Sequence, residues 1–380
     1  KPFGVQGVAD RMRAFPAGSS LKFTGYRDGK PIEFAGQLLE KPRDPGTDAY
    51  TVEYSHVVSN GQRMRTILTH PKVAGKKPGF LFIQGYSPVS YDFILATATG
   101  DVSTLDGPLL FDFANGGFVT LRIEKPGVGD SEGGPFSGVD YTTELDIYRQ
   151  ALKQLKAQPD VDPNKVFIFG HSMGGAFGPM VASENHVRGI VVYGVAARTW
   201  FEYLLESVRY QDALAGASFE AVDESVRVSS RLMALAFHEN LSIPEIKKRH
   251  PELAQAADGM FPNGMFNAKT NKFWAQLGAI NFPRYWALCD TPVLAVHGGS
   301  DFVTFDSDHK LIADVVNAKH PSWGTFEVIP NSDHVFNTYA TDRESQMNFP
   351  RGKYNPAFSR RMMAWMRNLL DKPAGASESR

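Results

Sequence analysis

The chain begins with short runs that alternate apolar and polar residues and passes into short runs that are apolar throughout. Ser20–Tyr26 and Pro31–Leu39 read as two strands joined by Arg27-Asp28-Gly29-Lys30, a turn with Asp-Gly at its centre. A short helix is expected before them, over Val8–Phe15. Lys41–Asp48, with two prolines and a glycine, reads as a linker. Tyr50–Ser59 and Gln62–His70 flank Asn60-Gly61, a strong hairpin signal. After a loop over Pro71–Pro78, four apolar runs follow: Gly79–Gln84, Gly117–Ile123, Val166–Phe169 and Gly189–Tyr193. Runs of this kind suit strands buried on both faces of a parallel sheet. Tyr141–Ala157, between the second and third, carries the helical period. Alternating strands and helices predict an α/β fold, with a mostly parallel central sheet and helices on both faces.

That rhythm stops near Ala196. From there to Trp286 the chain is rich in Leu, Ala, Phe, Tyr, Trp, Glu and Arg, and reads as several helices without a strand. Pro292–His297 resumes the sheet, followed by a helix over Asp306–Lys319, a strand over Thr325–Ile329 and a closing helix over Pro356–Leu370. The expected organisation is an N-terminal segment (1–45), a core built from 46–195 and 289–372, a helical insertion over 196–288, and a small polar tail over 373–380 that is expected to be disordered. An insertion of this size between two core strands is usually functional when it lies over a site. There is no internal repeat.

Composition narrows the partners. With 42% hydrophobic and 21% charged residues, a chain of 380 residues buries a sizeable core without staples. Forty basic residues against 41 acidic ones argue against nucleic acid or an anionic membrane as a partner recruited by bulk charge. The single cysteine, Cys289, excludes an intrachain disulfide and a cysteine-based metal site. No apolar run reaches the roughly 18 residues that span a bilayer, so no integral membrane segment is expected. The first residues are Lys1-Pro2, with no initiator Met. This reads as a processed or trimmed N-terminus and leaves an exported bacterial location, periplasmic or secreted, open. Oligomeric state is not legible.

The candidate chemistry centres on Gly170-His-Ser172-Met-Gly174-Gly175, directly after the buried run Val166–Phe169 and before a helix-like segment, Ala176–Ser183. Gly-x-Ser-x-Gly between a strand and a helix marks a turn so sharp that side chains two positions either side of the serine would collide, hence Gly170 and Gly174. The turn lifts Ser172 Oγ to the top of the sheet and aims the Met173 N–H where an oxyanion would form. A second oxyanion donor is expected from the loop after the first core strand, Gln84-Gly85-Tyr86. Gly85 permits close approach and the Tyr86 N–H is the candidate.

A serine hydroxyl needs a base, and the base an orienting acid. Among the histidines after Ser172, His334 lies in the loop after the last strand, facing the same edge, and is the expected base. His297 lies inside a strand and reads as a core or supporting residue. His309 and His320, on or beside a helix, read as solvated. For the acid, Asp301 ends Gly298-Gly-Ser-Asp301 at the same edge. Asp306 and Asp308 compete from the following helix, and Asp333 is better suited to cap a turn. Gly127-Val-Gly129-Asp-Ser-Glu-Gly133 lacks the spacing of a dinucleotide fingerprint and the Lys-Ser/Thr of a phosphate loop, and reads as a tight loop beside the site. His238-Glu239 lacks the second histidine of a zinc helix, so neither a catalytic metal nor a cofactor is expected.

From Phe80 to Leu370 the sequence resembles the α/β-hydrolase superfamily, and within it the serine-aminopeptidase-like and acyl-esterase branches. The pieces are Ile83-Gln84-Gly85-Tyr86, Glu124-Lys-Pro-Gly-Val-Gly-Asp-Ser-Glu-Gly133, Gly170–Gly175, His297-Gly-Gly-Ser-Asp301 and Asp333-His334. The resemblance implies an α/β-hydrolase fold with residues 196–288 as a lid. Trp200, Phe201, Tyr203, Leu204, Leu205, Met233, Phe237, Phe261, Phe266 and Trp274 of that lid suggest an apolar acyl or aryl pocket. The implied activity is serine hydrolysis of a small carboxylic ester through an acyl-enzyme. A peptidase holding an α-ammonium on Glu202, Glu206 or Glu220, and a non-catalytic binding protein on the same fold, are the alternatives. The first 40 residues resemble the C-terminal half of a PDZ domain, through Val8–Phe15, Gly18, Leu21-Lys-Phe23 and Arg27-Asp-Gly-Lys30. The front half, with its carboxylate-binding loop, is not in the sequence, so no working peptide groove is expected.

Overall fold

The computed structural model describes residues 15–39, 43–91, 95–97, 100–102 and 107–372. They fall into two compact units, one within residues 1–44 and 94–102, the other within 45–93 and 103–380. The first unit holds an antiparallel hairpin of β1 (Ser20–Arg27) and β2 (Lys30–Gln37). The turn is at Asp28-Gly29, both with positive φ, as Asp-Gly chemistry requires. The Val8–Phe15 helix and the 373–380 tail lie outside the described residues, Phe15 excepted.

The second unit is built on an eight-stranded sheet. Its strands are β3 (Tyr50–Ser59), β4 (Gln62–Pro71), β5 (Lys77–Ile83), β8 (Val119–Ile123), β9 (Val161–His171), β10 (Gly189–Tyr193), β11 (Val293–Gly298) and β12 (Gly324–Ile329). A two-stranded ribbon of the first unit, β6 (Leu95–Thr97) and β7 (Gly100–Val102), takes the intervening numbers. The sheet order is β12-β11-β10-β9-β5-β8-β4-β3. Strands β8, β5, β9, β10, β11 and β12 pair in parallel, while β3 and β4 add an antiparallel edge joined by the Asn60-Gly61 turn.

The apolar runs explain the layers. In β5, Leu81 and Ile83 enter one hydrophobic cluster, and Phe80 and Phe82 enter another. A period of two sends alternate side chains to opposite faces, so an unbroken apolar run is what a strand covered on both sides needs. One face is packed by α1 (Gly107–Asn115) and α12 (Ala357–Asp371). The other is packed by α2 (Tyr141–Lys156) and α3 (Gly174–Glu184), and the helical segment between β10 and β11 continues that cluster.

That segment contains α4 (Trp200–Leu214), α5 (Phe219–Met233), α6 (Ile243–Arg249), α7 (Ala254–Met260), α8 (Asn271–Gly278) and α9 (Phe282–Leu288), with a π turn over Ala234–His238. Helices α10 (Asp306–Lys319) and α11 (Asp342–Asn348) complete the set. Among the described residues no helix is long and apolar enough to cross a membrane.

Candidate active site

Strand β9 ends at His171 and α3 begins at Gly174, so Ser172 and Met173 alone make the turn. Ser172 sits at φ 52°, in the left-handed region that side-chain-bearing residues rarely adopt. Its N–H donates to the Tyr193 carbonyl at 2.9 Å, which holds the strained residue in place. The glycines are required sterically. A Cβ on Gly170 would lie 2.7 Å from the Gly174 carbonyl oxygen, and one on Gly174 would lie 2.0 Å from that of Ile83.

His334 follows β12, and Asp301 follows β11. His334 Nε2 is 2.9 Å from Ser172 Oγ, and His334 Nδ1 is 2.9 Å from Asp301 Oδ2. Three residues far apart in the chain thus form one hydroxyl–imidazole–carboxylate series. Ser172 is half-buried; His334 and Asp301 are buried. Asp301 Oδ1 accepts from the N–H groups of Val303 and Thr304, and Oδ2 accepts from Thr304 Oγ1 at 2.7 Å. Burial pushes the Asp301 carboxyl upward. The charge and hydrogen bond of His334, with His297 and Thr304, outweigh it and hold the group well below the usual carboxylate range. A buried carboxylate kept ionised in this way fixes the imidazole's tautomer, with the proton on Nδ1 and a free basic Nε2 toward the serine.

Gly85 lies against the serine: a Cβ there would be 3.1 Å from Ser172 Cβ and 3.6 Å from Oγ. The N–H groups of Tyr86 and Met173 have no acceptor among the described residues. Both remain available to an incoming oxygen.

The remaining sequence expectations sort by burial. Asp333 accepts from the N–H groups of Val335 and Asn337 and shapes the turn that carries His334, rather than reaching its ring. His297 lies with its ring 5.1 Å from that of His309 and adds to the field at Asp301. His309 is a correction. Instead of being solvated it is fully buried, donating from Nδ1 to the Phe305 carbonyl and accepting the Val195 N–H on Nε2. Its neighbour Asp308 is buried too. It accepts from the N–H groups of Ala197 and Arg198 and pairs with the Arg198 guanidinium. Helix position alone misled the reading, because this turn of α10 faces the chain leaving β10. His320 is partly exposed and stacks on Trp323. His171, not singled out in the sequence, bonds through Nε2 to the His334 carbonyl at 2.8 Å and so helps to place His334.

The Gly127–Gly133 loop is pinned by a buried carboxylate. Glu124 Oε2 accepts the Asp130 N–H, and a Cβ on Gly129 would lie 1.9 Å from that oxygen. The loop thus has no room for a phosphate at that point. Beside it, Lys125, Glu144 and Lys269 form a buried ionic group that no local pattern announced. Burial pushes the Lys125 ammonium down against the opposing pull of Glu144, and in the same way pushes Lys269 down to about 8.

A cavity of about 230 Å3 is lined by Trp200, Phe201, Phe237, His238 and Trp274, with Ala275, Gly278 and Ala279 at the end of α8. Trp274 reaches the Tyr86 ring, with centroids 6.0 Å apart. Four of the aromatic residues singled out in the sequence therefore line it. Tyr203, Met233 and Phe261 are buried in the core cluster instead, and Leu204, Leu205 and Phe266 pack against it. None of the three glutamates weighed as an ammonium anchor lines the cavity. Glu202 completes a capping box with Thr199, Glu206 pairs with Arg198, and Glu220 is exposed.

A model described as the alpha/beta hydrolase family matches residues 80–344. Esterase EstD of Thermotoga maritima is 24% identical over 169 residues, which cover 43% of this chain and 38% of that protein. The uncharacterized peptidase YtmA of Bacillus subtilis is 28% identical over 152 residues, 39% of this chain and 52% of that one. The matches thus span about half or less of these curated relatives. A hypothetical protein of Pseudomonas aeruginosa shares the fold, with TM-score 0.53 at 15% identity over 85% of this chain and 95% of its own. The family match starts at residue 80 and so lends no support to the PDZ-like resemblance ahead of it. Because that match takes in well over half of the sequence, the chain belongs to the alpha/beta hydrolase family.

Proposed function

We propose that this protein is a serine hydrolase that cleaves small carboxylic esters through an acyl-enzyme. The observation that carries the reading is the 2.9 Å approach of His334 Nε2 to Ser172 Oγ, with Asp301 behind the ring. Ser172 is the nucleophile, His334 the general base and Asp301 the acid that orients it. As Oγ bonds to the carbonyl carbon, its proton passes to His334 Nε2. The carbonyl oxygen becomes an oxyanion facing the Tyr86 and Met173 N–H groups. Collapse expels the alcohol, which takes the proton from His334. Water, activated by the same imidazole, then releases the acid. Residues 196–288 act as the lid, and the aromatic cavity receives the acyl or aryl group. An ester is favoured over an aminopeptidase substrate because, among the described residues, no carboxylate lines that cavity to hold an α-ammonium.

The test is hydrolysis of short to long p-nitrophenyl esters and of aminoacyl anilides by the wild type and by Ser172→Ala. Ester turnover lost by a factor of about 10^4 or more in a variant that melts like the wild type is the expected result. Anilide turnover exceeding ester turnover would move the assignment to a peptidase. Failure of Ser172 to react with a fluorophosphonate, with no turnover of either class, would mean a binding protein on this fold.

A further inference from the structure

The ionic group beside the site is fully buried, yet the chemistry above does not use it. Lys125 follows β8. Its Nζ donates to the Gly85 carbonyl at 2.6 Å and to the Tyr86 carbonyl at 3.1 Å, and pairs with Glu144 Oε1 at 2.7 Å. Glu144, on α2, pairs through its other oxygen with Lys269 Nζ at 3.3 Å. Lys269 comes from the helical segment between β10 and β11. It also donates to the Val139 carbonyl at 3.0 Å and lies 3.6 Å from the centre of the Phe136 ring. Phe136 in turn meets the Tyr86 ring edge-on.

Peptide geometry gives this arrangement a consequence. In a planar trans peptide the C=O of one residue and the N–H of the next point in opposite directions. A Gly85 carbonyl drawn to Lys125 turns the Tyr86 N–H away from Lys125. Gly85 itself lies against Ser172, since a Cβ there would be 3.6 Å from Oγ. Without a strong donor this peptide has no reason to hold one orientation, since glycine permits either. A buried ammonium is the strongest donor available for two adjacent carbonyls, and Glu144, paired with it at 2.7 Å, opposes the effect of burial and holds it in place.

We infer that Lys125 is a positioning residue for oxyanion stabilisation: by holding the Gly85 and Tyr86 carbonyls it aims the Tyr86 N–H at the oxygen that becomes charged on Ser172. Glu144 anchors it, and Lys269 ties that anchor to the lid. The inference rests on the serine-hydrolase reading. The group acts through the donor peptide and never touches the substrate.

Lys125→Met tests it. Methionine keeps the length of the side chain, and Glu144 keeps Lys269 as a partner. Active sites are counted by fluorophosphonate titration, so that rates are expressed per competent Ser172. The expected result is a fall in kcat per titrated site on the order of 100-fold, with KM within about threefold, because a donor to the oxyanion acts mainly in the transition state. Affinity for an alkyl boronic acid, whose tetrahedral adduct carries the same negative oxygen, should fall in parallel. A packing role alone would lower the melting temperature and the number of titratable sites while leaving kcat per site and boronate affinity near wild type. That outcome overturns the inference. If Lys125→Met does not accumulate folded, Glu144→Gln answers the same question, since it keeps the volume and removes the ammonium's counter-charge. A fall in kcat of about 10-fold or more at unchanged KM supports the inference, and a wild-type kcat overturns it. A wild type that neither turns over esters nor reacts with the fluorophosphonate would instead sink the parent reading, independently of either variant.

Discussion

The loops at the carboxyl ends of β5, β9, β11 and β12 and the helices of residues 196–288 are built from opposite materials. The loops hold Gly85, Ser172, Asp301 and His334 on backbone turns that leave little freedom, with Ser172 Oγ, both His334 ring nitrogens and both Asp301 carboxylate oxygens matched to partners at about 3 Å. The helices present aromatic side chains around a cavity, fixed mainly by apolar packing. Hydrogen bonds and strained turns fail when one atom is changed or added. Aromatic packing yields by degrees, because a neighbouring ring can shift into part of the space. On the function proposed above, the first region carries the bond-making and the second the selection among related acyl groups.

This contrast makes graded predictions. Asp301→Asn should lower kcat by about 10^3- to 10^4-fold without unfolding the protein, since an amide oxygen can still accept the Val303 and Thr304 N–H groups. Steady-state ester kinetics read this, and a loss under tenfold would place the orienting acid elsewhere. Next, one added methyl should act oppositely in the two regions. Gly174→Ala forces a Cβ to within 2.0 Å of the Ile83 carbonyl oxygen and should cost about 1–3 kcal/mol or more. Gly259→Ala, on an exposed stretch of α7 with nothing within 4 Å of the new methyl, should stabilise by about 0.4–1 kcal/mol. Urea melts of the two variants would show the contrast, and equal effects would erase it.

Phe237→Ala should move the acyl-chain optimum toward bulkier esters, by about 10-fold in relative kcat/KM, while Ser172 labelling persists. An unchanged chain-length profile would mean that the cavity does not receive the acyl group. The smallest effect concerns pH. Burial holds His309 down to about 4, so it is neutral in the folded protein at a pH where the unfolded chain takes up a proton. Its contribution to stability is fully present above about pH 6.5 and is lost progressively as pH falls from there to about 4. Urea midpoints between pH 7 and 4.5 should fall more steeply for the wild type than for His309→Gln. Parallel curves would show that the ring is not held neutral.

Much of this could be read from the chain, but unevenly. Gly189–Tyr193 appears as the strand expected, and the Asn60-Gly61 hairpin has the expected strands within a residue. Strand β9 starts five residues earlier than its apolar run, at Val161, which pairs with Lys77 of β5 across a register irregularity that no local pattern marks. Helices α1 and α11 and the β6–β7 ribbon were not anticipated; they are short, and their patterns are not strongly periodic.

The division between the two kinds of information follows the range of the forces involved. Turn chemistry and the period of apolar residues act over a few residues, and from them come the parallel sheet, the sharp turn at Ser172 and the edge at which Asp301 and His334 would lie. Which polar groups end up in the interior is settled between segments distant in the chain. No local pattern marks His309 as the acceptor for Val195, or Lys125 and Lys269 as partners of one glutamate 19 and 125 residues away, respectively. A charged side chain looks the same in sequence whether it is solvated or buried. Only the packing of the other elements around it removes the water and makes its partner a necessity.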